Sequence, residues 1–216
     1  VRNDFAVPRS VIRYRDWDAE NGVATNAMIA YTNVTIVADK KPTEFVDGKW
    51  YAVITNVTKT ADDYSLPVSG SAHLILCDGA TLAITNKADV AAISVAGGSA
   101  LTIYGQEADS GRLAVNCGRR GAGIGGGNNG ECGEITIHGG TIDAVGGASC
   151  AGIGCGTLGK GGTVTITGGR ITATGHNGAD DIGMLHNVTL TPCEVAIRGG
   201  IFALGNKKQN ELKGEW

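Results

Sequence analysis

Aromatic residues are scarce in this chain, 5% of 216 positions. A core built on large rings is therefore excluded, and the interior must consist of small aliphatic side chains. Neither sign of charge dominates: 18 Lys and Arg against 21 Asp and Glu leave a net charge of −3, which gives a nucleic-acid partner no electrostatic support. No apolar run approaches membrane-spanning length, so no membrane insertion is expected. No stretch carries a persuasive helical period. The six cysteines contain no Cys-x-x-Cys pair, which argues against zinc and against thioredoxin-type redox chemistry. His73, His138, His176 and His186 lack metal-ligand spacing. The glycine run Gly121 to Gly127 lacks the Lys-Ser/Thr and the helix of a phosphate loop. The chain starts at Val1 without a leader pattern, and a mature fragment or an excised domain is expected.

What is abundant is glycine, 35 residues, and it recurs with a period. Gly133-Glu-Ile-Thr-Ile-His-Gly-Gly-Thr-Ile-Asp-Ala-Val-Gly-Gly and Gly162-Thr-Val-Thr-Ile-Thr-Gly-Gly-Arg-Ile-Thr-Ala-Thr-Gly are two copies of one unit. Ile137 and Ile166 lie 29 residues apart (166 − 137), as do Ile124 and Ile153, and Ile153 and Ile182. Within each unit the alternation has period two. Ile135 and Ile137 point one way, and Glu134, Thr136 and His138 the other. A glycine pair then permits a sharp corner. Three short strands per turn, stacked like above like, define an all-β, right-handed, single-stranded parallel β-helix of about seven coils with an N-terminal cap.

The boundaries are read as 1–45 for a cap and lead-in, 46–205 for the helix and 206–216 for a C-terminal tail. An open solenoid end exposes core and strand edges, which is why a cap is expected. The core ladder is read as Leu76, Ile103, Ile137, Ile166, Ile197, with the longest insertion at Arg119-Arg120 or at Asn128 to Glu131. Three disulfides or buried free thiols both suit Cys77, Cys117, Cys132, Cys150, Cys155 and Cys193.

Gly48-Lys-Trp-Tyr-Ala-Val, His73-Leu-Ile-Leu-Cys-Asp-Gly-Ala-Thr-Leu, Ser99-Ala-Leu-Thr-Ile-Tyr-Gly-Gln, Gly121-Ala-Gly-Ile-Gly-Gly-Gly and Gly161-Gly-Thr-Val-Thr-Ile-Thr-Gly-Gly resemble the glycine-rich parallel β-helix repeats of bacterial cell-surface and secreted proteins. Tyr14-Arg-Asp-Trp-Asp is similar to their lead-in. The resemblance implies an extracellular or cell-surface module, adhesive or binding a host or cell-wall glycan, and supplies no catalytic residues.

An outward row of Cys77, Tyr104, His138, Thr167 and Arg198, flanked by Thr102, Thr136 and Thr165, is the candidate ligand surface. Ring stacking by Tyr104 and hydrogen bonds from His138, Arg198, Thr136 and Thr165 suit a sugar chain. An ordinary solvated sheet face, with threonines present for β-propensity, competes with that reading. A lyase would need clustered carboxylates for Ca²⁺. Asp62-Asp63, Asp143, Glu131 and Asp180-Asp181 form no acidic ladder, so no cofactor is expected, with Ca²⁺ the one left open. Asp16, Asp18 and Glu20 with Trp17 supply one wall of a glycosidase cleft and no opposite wall. Threonines in Thr-x-Thr runs are interrupted by Glu134, His138 and Arg198, against an ice-binding array. The Asn-Val-Thr sequons at Asn33, Asn56 and Asn187 each start a strand. The leading expectation is non-catalytic glycan binding. A polysaccharide lyase or glycoside hydrolase and a structural module that pairs with copies of itself are the alternatives.

Overall fold

The computed structural model describes residues 11–38, 41–60, 62, 64–183 and the backbone of 194–197 and 201–204. An antiparallel hairpin, β1 (Val11–Asp18) and β2 (Val23–Ala30), leads through a short 3-10 turn into β3 (Val34–Ile36). The chain then winds in threes: β4 (Trp50–Val53), β5 (Val57–Thr60), β6 (Leu66–Val68); β7 (Ser71–Leu76), β8 (Thr81–Asn86), β9 (Ile93–Val95); β10 (Ala100–Tyr104), β11 (Arg112–Cys117), β12 (Ile124–Gly125). It continues with β13 (Glu134–Ile137), β14 (Thr141–Val145), β15 (Ile153–Gly154); β16 (Thr163–Ile166), β17 (Arg170–Thr174), β18 (Ile182–Gly183); and ends in β19 (Glu194–Ile197) and β20 (Ile201–Leu204). Every third strand pairs in parallel. The first sheet runs β3-β4-β7-β10-β13-β16-β19, the second β5-β8-β11-β14-β17-β20 and the third β6-β9-β12-β15-β18. This is an all-β parallel solenoid with almost no helix. Fewer than seven coils have all three sides among the described residues.

Registers stack like on like. Leu74, Ile103, Ile137 and Ile166 form one inward ladder, Leu82, Leu113, Ile142 and Ile171 a second, and Ile93, Ile124, Ile153 and Ile182 a third. All are buried, and together they make the core. Ile103 sits on Leu74, not on Leu76 as the sequence reading has it. The true spacing is 29 residues (103 − 74), the same as in the later coils. Asp78-Gly79 imitates the Gly-Gly corner and invites the slip. A two-residue shift leaves every side chain on its assigned face, so inward and outward sets survive it.

The longest first corner is not at Arg119-Arg120 or at 128–131. Gly105 to Gly111 takes ten residues to pass from Ile103 to Leu113, where Ile137 to Ile142 takes five. That extra chain has a use: it grips the hairpin. The backbone N–H of Arg15 donates to the Gly105 carbonyl (2.9 Å), Gln106 donates to the Arg13 carbonyl (2.6 Å), and Arg15 pairs with Asp109 (2.8 Å).

The hairpin therefore lies on the side of the solenoid. Ile12 and Tyr14 pack on Ala52, Ile75, Cys77 and Tyr104, the outward residues of the first sheet. Val37, Phe45 and Tyr51, all buried, belong instead to the core of the solenoid, and Lys59 is buried as well. Lys59 stands where Ile84, Val115 and Ala144 stand in the next coils, so its apolar stem continues the ladder. Its ammonium donates to the Ala38 carbonyl (2.9 Å) and lies 5.4 Å from the centre of the Tyr64 ring.

One disulfide, Cys132–Cys155, joins consecutive coils across 23 residues. Closing a loop of that length removes unfolded-state entropy equivalent to about 3 kcal/mol in the chain-entropy picture. Gly126, the residue equivalent to Cys155 one coil earlier, admits the bridge: a Cβ there would meet the Cys132 sulfur at 2.8 Å. Cys117 and Cys150 are buried thiols, and burial pushes both up in pKa. Cys193 lies outside the described residues.

Candidate functional site

Alternation on the first sheet creates three outward rows, each running along the solenoid. The first is Ser71, Ala100, Glu134 and Thr163; the second is Trp50, His73, Thr102, Thr136 and Thr165. The third is Ala52, Ile75 and Tyr104, continued by His138 and Thr167, whose backbone N–H groups bond to the preceding coil at Ile103 and Ile137.

The third row is covered. Tyr104 is only 5% exposed. Its ring meets the edge of Tyr14 (4.8 Å) and stacks near Trp50 (5.2 Å), and its hydroxyl lies 3.0 Å from His73 Nδ1. Trp50 in turn stacks on His73 at 4.3 Å. Burial raises the Tyr104 phenol far above its ordinary pKa, with the Asp16 carboxylate adding to the effect. Tyr104 thus serves as the seat of the hairpin. His138 is half-buried, with Nδ1 2.7 Å from Thr167 Oγ1 and Nε2 3.8 Å from Asp16. Thr136 and Thr165 are half-buried in the middle row. Arg198 lies outside the described residues.

Asp16, His138 and Thr167 superficially form a carboxylate–imidazole–hydroxyl series. The Thr167 hydroxyl also bonds to the Ile137 carbonyl (3.3 Å), an acceptor only. Its proton is directed there, so Oγ1 accepts from His138 Nδ1–H, and Thr167 is buried. The arrangement fixes a tautomer and leaves no exposed nucleophile.

Burial pulls both His73 and His138 below the ordinary value of 6.5, and Asp16 opposes this in each. With the folded value below the unfolded one, the unfolded chain takes up more protons once the pH falls below 6.5. Stability supplied by this cluster is complete above that pH and is lost as the pH drops through it. Between pH 7 and pH 5, the protection of β1 and β2 amides, taken relative to the intrinsic exchange rate at each pH, is expected to fall. A His73→Asn/His138→Asn chain is expected to show a flatter response. An unchanged slope in that double variant would remove the histidines as the cause.

The carboxylates named from the sequence are mostly engaged. Asp143 pairs with Arg112, Asp62 with Lys87 (3.0 Å) and Glu131 with Lys160 (3.3 Å). Asp181 is buried and accepts the Gly175 N–H (2.8 Å). Asp18 accepts bonds from Glu20 and Asn21 in the hairpin turn, which holds its carboxyl below the usual range. Among the described residues, no group of three His, Cys, Asp or Glu side chains is placed to hold a metal. Asn56 has a structural use, accepting the Thr81 N–H (2.9 Å).

The first row remains open. A groove of about 380 Å³ follows it, lined by Ser71, Ser99, Glu134 and Thr163 over a floor that includes Gly98, Gly133 and Gly162. Close backbone approach requires glycine at Gly133 and Gly162: a Cβ would lie 2.3 Å from the Ser99 carbonyl oxygen at the first and 2.8 Å from the Gly133 carbonyl oxygen at the second. Sequence reading missed the groove, although Glu134 and Thr163 stand one residue pair before the threonines it selected. A second notch, about 330 Å³, separates the hairpin from the long corner and is lined by Arg15, Thr25, Asn26 and Glu107.

A family model described as a β-helix repeat matches residues 135–157 and 164–179. Together with the parallel solenoid around those segments, this supports a β-helix repeat domain. No curated protein and no solved structure is significantly similar to it.

Proposed function

We propose that this domain is a non-catalytic glycan-binding module of a bacterial surface or secreted protein. The observation that carries the reading is the open groove of hydroxyls and one carboxylate, Ser71, Ser99, Glu134 and Thr163. It adjoins the row of Thr136 and Thr165, with His138 beyond. Sugars are recognised by such convergent hydroxyl and carboxylate acceptors and donors. The Cys132–Cys155 disulfide supports an oxidising, extracellular setting. Tyr104 acts in this reading by holding the hairpin beside the groove rather than by touching sugar.

A glycan array tests it, run with the wild-type domain and a Glu134→Gln/Thr163→Val variant. Wild type is expected to retain a defined set of glycans, and the variant to lose at least tenfold in affinity with an unchanged melting temperature. The absence of any bound glycan would overturn the reading in favour of a spacer or self-assembling module.

A further inference from the structure

Resting on the glycan-binding reading, we infer that the groove takes a linear, uncharged polysaccharide laid parallel to the solenoid axis, about four sugar units at a time. Its lining comes from four successive coils: Ser71 on β7, Ser99 just before β10, Glu134 on β13 and Thr163 on β16. Ser71, Ala100, Glu134 and Thr163 are register partners in that order, so the long axis of the groove follows the stack. Three steps between neighbouring parallel strands span roughly 14 Å. One pyranose ring in an extended chain advances by about one such step. Each ring therefore meets the polar group of one coil, and a polymer with a one-ring repeat meets them in phase. A single terminal sugar would engage only one.

Charge selects the class. Among the described residues lining the groove, Glu134 alone is charged. The nearby cation, Lys160, is already paired with Glu131 at 3.3 Å. A uronate or sulfated chain would set its anions against Glu134 with no compensating cation in the groove. Uncharged sugars offer adjacent hydroxyls, two of which a carboxylate can accept together.

Calorimetry with cello-, chito- and manno-oligosaccharides of two to six units, and with polygalacturonate, tests this. Affinity for at least one neutral series is expected to rise tenfold or more between two and four units and less than twofold from four to six. Polygalacturonate is expected not to bind. Glu134→Lys, at an exposed position that leaves the fold intact, should lose at least tenfold toward the neutral chain and gain binding to polygalacturonate. Tight binding of polygalacturonate by wild type, or affinity independent of length, would overturn the inference while leaving glycan binding standing. Failure of every oligosaccharide and of the glycan array would overturn both.

Discussion

Gly154→Ala is expected to abolish folding or to destabilise the domain by roughly 4 kcal/mol or more, the range reserved for backbone positions that cannot relax. Gly154 has φ of +127°, and a Cβ there would lie 2.1 Å from the Gly183 carbonyl oxygen. Gly125 and Gly183 repeat the conformation at +134° and +132°. This is a region that only glycine enters at ordinary cost. The strain cannot be relieved locally, because β15, like β12 and β18, is only two residues of strand and its backbone is bonded to both neighbours. Gly126 donates to the Gly154 carbonyl and Cys155 to the Gly183 carbonyl, each at 2.8 Å. Gly161→Ala is the control. Its φ is +68° and nothing lies within 4 Å of the added methyl, so a cost of about 1 kcal/mol is expected from the left-handed backbone alone. Denaturant unfolding of both variants measures the difference. Gly154→Ala within 1 kcal/mol of wild type would contradict the close stacking of the third side.

Ile137→Ala is expected to cost about 3–4 kcal/mol, the upper part of the range for emptying a buried aliphatic site. Ile137 is fully buried, between Ile103 and Ile166 in the central ladder. Neighbouring coils are held apart by strand hydrogen bonds, so they cannot close over the cavity. Ile166→Ala should cost a similar amount, and the pair should be non-additive because both cavities share one wall. Val11→Ala, 40% exposed on the hairpin, is expected to change stability by less than about 0.5 kcal/mol. A cost below 1 kcal/mol for Ile137→Ala would mean that the ladder does not carry the core.

The period, the alternation and the glycine corners were legible because they are local and repeated. One mistake in register survived because Asp78-Gly79 resembles a corner, and a slip of two residues does not disturb the alternation. Tyr104 and His138 in one row and Thr136 and Thr165 in the next lie outside the inward ladders. What outward meant for each was not legible. Tyr104 faces a hairpin some ninety residues earlier in the chain, held by the Arg15–Asp109 pair, and no period links those segments. The one available signal was the long corner at 105–111, which the later coils lack.

The sequence by itself determined a parallel solenoid of small aliphatic ladders, because a fixed repeat with period-two alternation has few ways to bury its apolar face. It determined the face of the residues in the aligned repeat strands for the same reason. Only the tertiary structure decided which outward residues meet solvent and which meet the hairpin, since docking depends on contacts between distant segments that share no pattern. It also decided that Cys132 pairs with Cys155, because side-chain proximity across coils is set by corner geometry. The open groove at Glu134 is of the same kind. It exists because Gly98, Gly133 and Gly162 on three successive coils line up in space beside a row of polar side chains.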